Sequence, residues 1–346
     1  MTEEPRRRRA RISGPSMVDV AAVAGVSPIT VSRVANGSSS VLEETRDRVL
    51  AAMDQLGYQP NTAARALATG RFGTIGLIAF NVSTYGNSRM IGAIALAAAD
   101  AGYGLTLMTA APRHGAVSGA YARLTQQAVD GVIVLTDEDL EDAHGYTLPA
   151  GVPVVLASGR TSNYHNADSD QAGGSRRATE FLLSLGHRTV WHVAGPATSF
   201  SAASRRKGWR ATLQEAGARV PRVLVGDWTS HSGYLHGQRL AAEPALTAVF
   251  ASNDQMALGI MRALHEAGRD VPGEVSVVGY DDMEDAEAFW PPLTTVRQRF
   301  DVVGRLCVET LLHEIRQEPA DGVRRHLVPT ELVVRQSAAP PPRRLR

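Results

Sequence analysis

From about residue 74 onward the chain repeats one pattern, and that pattern leaves few folds open. Short β-rich apolar runs stand at 75–80, 105–109, 132–135, 154–157, 189–193, 223–225, 248–250 and 275–278. Between most of them lie alanine- and leucine-rich helical stretches such as 91–101, 178–185 and 255–267. Strands alternating with helices mean βαβ units, hence parallel sheets covered by helices. About nine such strands suit two doubly wound sheets better than one. The expected fold class is therefore α/β.

Length and composition narrow the function. A chain of 346 residues holds two or three domains, and 44% hydrophobic with 21% charged residues is ordinary for a globular protein. No apolar run approaches the roughly 18 residues that a membrane span needs. The net charge of +1 argues for no partner by itself, and the single cysteine, Cys307, rules out an internal disulfide. Arg6, Arg7, Arg8, Arg9 and Arg11 could open a twin-arginine export signal, but Ser13, Gly14 and Pro15 follow where an apolar stretch would be needed. The expectation is a solvated basic tail over residues 1–15, a cytoplasmic chain, and no membrane partner.

Residues 16–60 read as short helices. Val18, Val20, Ala21 and Ala24 give one face, and Ala24, Gly25, Val26 and Ser27 a tight turn. A second helix spans about 28–36, with Ser27 as N-cap and Pro28 at the first position, where its missing N–H costs nothing. A third runs from about 43 to 56, with Val49, Leu50, Met53 and Leu56 inward and Gly57 at its end. On the second helix Val31, Val34 and Ala35 share one side, and Ile29, Ser32, Arg33 and Asn36 the other. A cation fork, a hydroxyl and an amide on one face suit a helix lying in a major groove, though any amphipathic helix presents a similar wheel. Charge does not decide: residues 16–70 carry four arginines (33, 46, 48, 65) against five acids (19, 43, 44, 47, 54).

The order of these residues does decide. Val18-Asp19-Val20-Ala21, Ala24-Gly25-Val26-Ser27 and Thr30-Val31-Ser32-Arg33-Val34-Ala35-Asn36 resemble the helix-turn-helix signature of the lac repressor/galactose repressor family, and Glu44-Thr45-Arg46, Leu56-Gly57-Tyr58, Pro60-Asn61, Ala64-Arg65 and Leu67-Ala68 continue it. The resemblance implies that Pro28, Ile29 and Arg33 face bases, while Thr30, Ser32 and Asn36 meet backbone. It makes 61–70 a hinge helix. Under ten residues, such a helix is unstable alone, so pairing across a dimer axis over DNA would fold it. Asn61 and Ala64 lie on it, and Leu67 would wedge into the minor groove. Leu42 departs from the pattern, standing where the family usually has a capping serine.

Catalytic motifs are missing: no Gly-x-Ser-x-Gly, His-Glu-x-x-His or P-loop occurs, and no metal spacing joins the histidines. No enzyme, metal or cofactor is expected. Asn253 and Asp281 sit just past the strands ending near 250 and 278, where doubly wound sheets bind ligands. Asn253 or Asp254 could equally cap the following helix.

The family likeness runs from Met17 to about residue 336 and implies a periplasmic-binding-protein-like core of two doubly wound parallel-sheet subdomains, 71–168 with 297–327 and 169–296 with 328–336. It is especially close over residues 226–304. It implies that Asp281, Asn253 and Arg205 bond sugar hydroxyls, that Trp228 stacks on the ring, and that Phe300 and Ser201 complete the wall. Ser158 stands where a family member has an acidic sugar contact. The implied function is a homodimeric, operator-binding transcription regulator, a repressor of carbohydrate-utilisation genes released by a sugar effector. A co-repressor-dependent regulator and, more distantly, a sugar-binding transport protein are the alternatives. Residues 337–346, rich in proline and arginine, are expected to be loose.

Overall fold

The computed structural model describes residues 15–36, 38, 40–59, 70–110, 116–137, 151–158, 164–317 and 322–342. The chain divides into two compact units, Met1–Phe72 and Gly73–Arg346.

The first unit holds α1 (Met17–Ala24), α2 (Pro28–Ala35) and α3 (Glu43–Leu56). Ser16 and Asp19 close a reciprocal capping box at the start of α1. Gly25, at φ 66°, takes the left-handed turn that ends α1. Ser27 then caps α2 by accepting from Thr30 N at 3.2 Å, so α1 and α2 cross at 104°. That angle lies within the helix-turn-helix range. Val20, Val31 and Val49 are fully buried, joined by Ala21, Ala24, Val34, Ala52 and Met53. Two expected core residues are not in it: Val18 and Leu50 are exposed, and Ala52 takes the inward place on α3. A three-helix core this small has one seam, and each helix buries only a narrow stripe along it. Leu42 stands at the N-cap of α3 without a side-chain hydrogen bond. The expected hinge helix, with Asn61, Ala64 and Leu67, lies outside the described residues.

The second unit is built on parallel sheets. The first sheet has the order β11-β5-β4-β3-β1-β2, from β1 (Thr74–Phe80), β2 (Gly104–Ala110), β3 (Gly131–Leu135), β4 (Val154–Ala157), β5 (His165–Ser169) and β11 (Arg325–Val328). Helices α4 (Tyr85–Asp100), α5 (Ala116–Gln126) and α10 (Phe300–Ile315) cover it. The second sheet, β7-β6-β8-β9, uses β6 (Trp191–Ala194), β7 (Leu224–Val225), β8 (Ala248–Ala251) and β9 (Ser276–Val278). It is covered by α6 (Gln171–Ser184), α7 (Phe200–Glu215), α8 (Ser230–Ala241) and α9 (Asp254–Glu266). Both faces being covered explains strands such as β3 and β1 after Thr74, continuously buried and without polar alternation. A short antiparallel pair, β10 (Thr295–Arg297) with β12 (Glu331–Val333), continues the second sheet through the Val278–Thr294 bridge. The chain passes between the two lobes three times, at β5 to α6, β10 to α10 and β11 to β12.

Strands β5, β10, β11 and β12 were not among the runs read from the sequence. β5, His-Asn-Ala-Asp-Ser, is almost entirely polar. The second difference is the C-terminal segment. Residues 337–342, expected to be loose, are described, and Ser337 is fully buried: its hydroxyl accepts from Thr294 N at 2.8 Å and donates to Val277 O at 2.6 Å. Ala339 bonds Ser276, whose hydroxyl also faces the buried His187 ring at 3.1 Å. The segment therefore completes backbone pairing that β9 lacks on that side. No single helix among the described residues is long and apolar enough to cross a membrane.

Ser337→Ala should destabilise this unit by about 1–3 kcal/mol in urea unfolding, because a buried N–H and a buried C=O lose their partner. An unchanged midpoint would contradict the docking.

Candidate functional site

The two lobes face each other across a cleft lined by residues of both. It opens at the carboxyl ends of β3, β4, β5, β8 and β9, where strand ends of doubly wound sheets expose backbone and side chains to a ligand. Ser158, Ser201, Arg205, Trp228, Asn253, Asp281 and Phe300, all named from the sequence, line it together.

Arg205 organises the floor. It lies on α7, with only 4% of its surface exposed, and spends its guanidinium three ways. Nε donates to Gln171 Oε1 at 2.8 Å, one terminal nitrogen donates to Ser252 O, and the other pairs with Asp281 Oδ1 at 3.5 Å. Its Cζ sits 3.7 Å from the Tyr280 ring centroid and 5.5 Å from that of Trp228, so the cation meets two aromatic rings. Asp281 also accepts from Gln298 Nε2 at 2.7 Å, and Gln171 Nε2 donates to Gln298 Oε1 at 3.0 Å and to Asp168 Oδ1 at 3.4 Å. The two glutamines lie on two of the three lobe crossings. Two carboxylates on opposite lobes are thus joined by a chain of amides.

Burial lifts the Asp168 carboxyl to about 7, against the hydrogen bonds from Gln171 and Ser169 N that hold it down. Burial likewise lifts Asp281 to about 6, with Arg205 and Gln298 opposing the rise. Asp254, beside them, is pushed well above the carboxylate range by burial and by the neighbouring Asp281 charge. It accepts from Thr295 Oγ1 and from Met283 N at 2.8 Å, tying β10 to the loop after β9.

The capping question raised by the sequence has a definite answer. Asn253 Oδ1 accepts from Met256 N at 2.9 Å and caps α9, while its amide donates to Trp228 O and to Gln255 Oε1, each at 3.0 Å. Asn253 therefore holds Trp228 in place from behind. Trp228 packs over Gly195, where any Cβ would overlap its ring. Ser158, Trp228 and Asp281 all have positive φ, at 69°, 74° and 111°, a backbone region that costs energy outside glycine and collects at binding sites. Phe300 meets Tyr85 edge-on at 6.4 Å. At the cleft mouth Tyr85 and Arg89 of α4 reach Glu284 of the opposite lobe at 3.0 and 2.7 Å.

Sequence reasoning missed Asp137, Asp168, Gln171, Tyr280 and Gln298. Asp137 follows β3 and accepts from Ser199 Oγ at 2.5 Å and from Ser201 N at 3.0 Å. The strand-end rule that found Asn253 and Asp281 would have found Asp137 had it been applied to the first sheet.

In the N-terminal unit the outward face of α2 carries Pro28, Ile29, Arg33 and the C-cap Asn36, all exposed, with Thr30 and Ser32 half-buried beside them. Among the described residues no hydrogen bond or ion pair engages the Arg33 guanidinium.

The comparisons agree with this layout. Residues 16–61 match the model of bacterial regulatory proteins, lacI family, and residues 179–338 match a periplasmic binding protein-like domain. The HTH-type transcriptional regulator CelR of Thermobifida fusca is 37% identical over 96% of this chain and 99% of its own. The chain belongs to the lacI family of bacterial regulatory proteins. Another member, the lactose operon repressor of Escherichia coli (strain K12), is 35% identical over 94% of this chain and 91% of its own. The solved lac repressor dimer bound to operator and the anti-inducer ONPF superposes at a TM-score of 0.84, with 34% identity over 94% of this chain and 100% of that one. A complex of the transcriptional regulator CelR with cellobiose gives 0.70, with 33% identity over 93% and 99%. The family fold, a helix-turn-helix head before a core of parallel sheets, is the one described above.

The raised carboxyls make a pH prediction. Asp168 moves from 3.8 to about 7 on folding, so between those values the native state holds a proton that the unfolded chain has lost. Stability from this group is full at low pH and lost as pH rises through 7. Asp168→Asn should therefore unfold at higher urea than the parent at pH 8, by on the order of 2 kcal/mol, with the gap closing at pH 4. A pH-independent gap would contradict the burial effect.

Proposed function

We propose that this chain is a transcription regulator that binds a double-stranded operator as a homodimer and changes its hold on DNA when a saccharide occupies the cleft. The reading rests on one combination: a helix-turn-helix head with an exposed polar face, and a cleft whose floor is charge and amide while its walls are aromatic. Neither a transport protein nor an enzyme would need the head. Relatives supply the chemistry: one was solved on operator DNA, another with cellobiose.

On this reading Arg33 reads a base edge, since an arginine fork matches the two acceptors of guanine. Pro28 and Ile29 contact bases beside it, and Thr30, Ser32 and Asn36 meet the backbone. Asp281 and Arg205 bond sugar hydroxyls, Trp228 covers the apolar C–H face, and Phe300, Ser201 and Ser158 line the wall. Asn253 acts by seating Trp228. A ligand favouring one state a hundredfold supplies about 2.7 kcal/mol per site, enough to move a two-site equilibrium.

Arg33→Ala should weaken operator binding by about 1–3 kcal/mol and relax the choice at one base pair. Full retention of preference over random DNA would remove α2 from the role of reader. Asp281→Asn should raise the sugar concentration needed to change operator occupancy at least about tenfold, because a charge-assisted acceptor becomes a neutral one. Gel-shift titrations with and without candidate sugars read both. A head that binds no DNA, or an occupancy that no sugar alters, would overturn the proposal.

A further inference from the structure

We infer that Asp168 is a second specificity-determining carboxylate of the cleft, and that with Asp281 it selects neutral, hydroxyl-rich saccharides and rejects phosphorylated or acidic ones. The inference rests on the effector reading above and narrows it.

Asp168 is the penultimate residue of β5 on the first lobe, 6% exposed. Its Oδ1 is fixed by Ser169 N at 2.7 Å and by Gln171 Nε2, no hydrogen bond among the described residues reaches Oδ2, and the residue lines the cleft. A buried carboxylate oxygen left without a donor costs free energy until one arrives. The hydroxyls of a saccharide supply such donors. Asp281, across the amide chain on the second lobe, is in the same position: Oδ1 is used by Gln298 and Arg205, and among the described residues no hydrogen bond reaches Oδ2. A ligand with hydroxyls at both ends would satisfy both lobes at once.

The charge balance excludes anions. Three carboxylates line the cavity, Asp137, Asp168 and Asp281, and Arg205 is the only cation among the described lining residues. Each Arg205 nitrogen already has one partner, Gln171, Ser252 O or Asp281, and the Asp281 carboxylate offsets its charge, which leaves the remaining terminal N–H groups for neutral acceptors such as hydroxyls. A phosphate placed here would meet the Asp168 and Asp281 carboxylates and a guanidinium whose charge Asp281 already offsets, in a site where desolvation strengthens the repulsion.

Calorimetric titration of the full chain at pH 8 tests this with cellobiose, lactose, glucose and ribose as neutral probes, and glucose 6-phosphate and glucuronate as anionic ones. The expected result is binding by at least one neutral sugar and none by either anion at a hundredfold higher concentration. Asp168→Asn should weaken the neutral ligand about tenfold and narrow its margin over the anions. Asp168→Glu should keep the rejection of anions, because it keeps the charge. A residue that merely supports the fold would weaken both ligand classes alike. Binding of glucose 6-phosphate as tight as that of a neutral sugar, or unchanged selectivity in Asp168→Asn, would overturn this inference and leave the sugar-effector reading standing. Silence from every probe would overturn both.

Discussion

A single buried guanidinium holds the cleft together. Arg205 could not remain charged in that position without acceptors, and the chain provides them from three directions: a side-chain amide at a lobe crossing, a strand-end carbonyl and the Asp281 carboxylate. Tyr280, itself buried, and Trp228 both offer ring faces to the cation. Removing Asp281 would leave a cation whose desolvation is only partly offset. Fold and recognition therefore draw on the same side chains, and the packing of α7 against the second sheet fixes where a ligand's hydroxyls can sit.

The site also carries backbone strain. Three of its wall residues hold positive φ without being glycine, and two of its carboxyls titrate near neutrality rather than near 4. Each feature costs stability, and each persists because the surrounding sheets and helices are over-determined. Cost concentrated in the cleft is what a ligand can relieve. Stabilising the site with neutral or glycine substitutions would be expected to blunt its response. At the mouth, Tyr85 and Arg89 already reach across to Glu284, so the lobes are tied at the rim as well as at the floor, though an exposed pair of this kind contributes little.

What the sequence made legible follows burial. Strands covered on both faces read as apolar runs, and β1, β3, β4, β8 and β9 were found for that reason. β5 was not, because its carboxyl end is the cleft: Asp168 and Ser169 make the strand polar, and periodicity cannot see a strand whose side chains serve a site. Asp168 went unnoticed with it. The seven cleft residues named beforehand do gather in one cavity, but the amide chain through Gln171 and Gln298 could not have been anticipated, since it joins positions 127 residues apart. Val18 and Leu50 show the opposite error, where apolar character alone promised burial that a three-helix seam has no room to give. The proline-rich segment after Gln336 reads as loose by composition, yet Ser337 inserts a hydroxyl between two backbone groups of the second sheet.

In the proposed function the cleft and the DNA-reading head of one chain are energetically coupled, so that occupancy of either is felt by the other. Linkage makes this reciprocal. The direct measurement is the dissociation constant of the effector sugar for the full chain, by calorimetry, with and without a saturating operator duplex. The account predicts that operator weakens the sugar by the same factor, on the order of ten- to a hundredfold, by which the sugar weakens operator. A sugar affinity that operator leaves unchanged would contradict it.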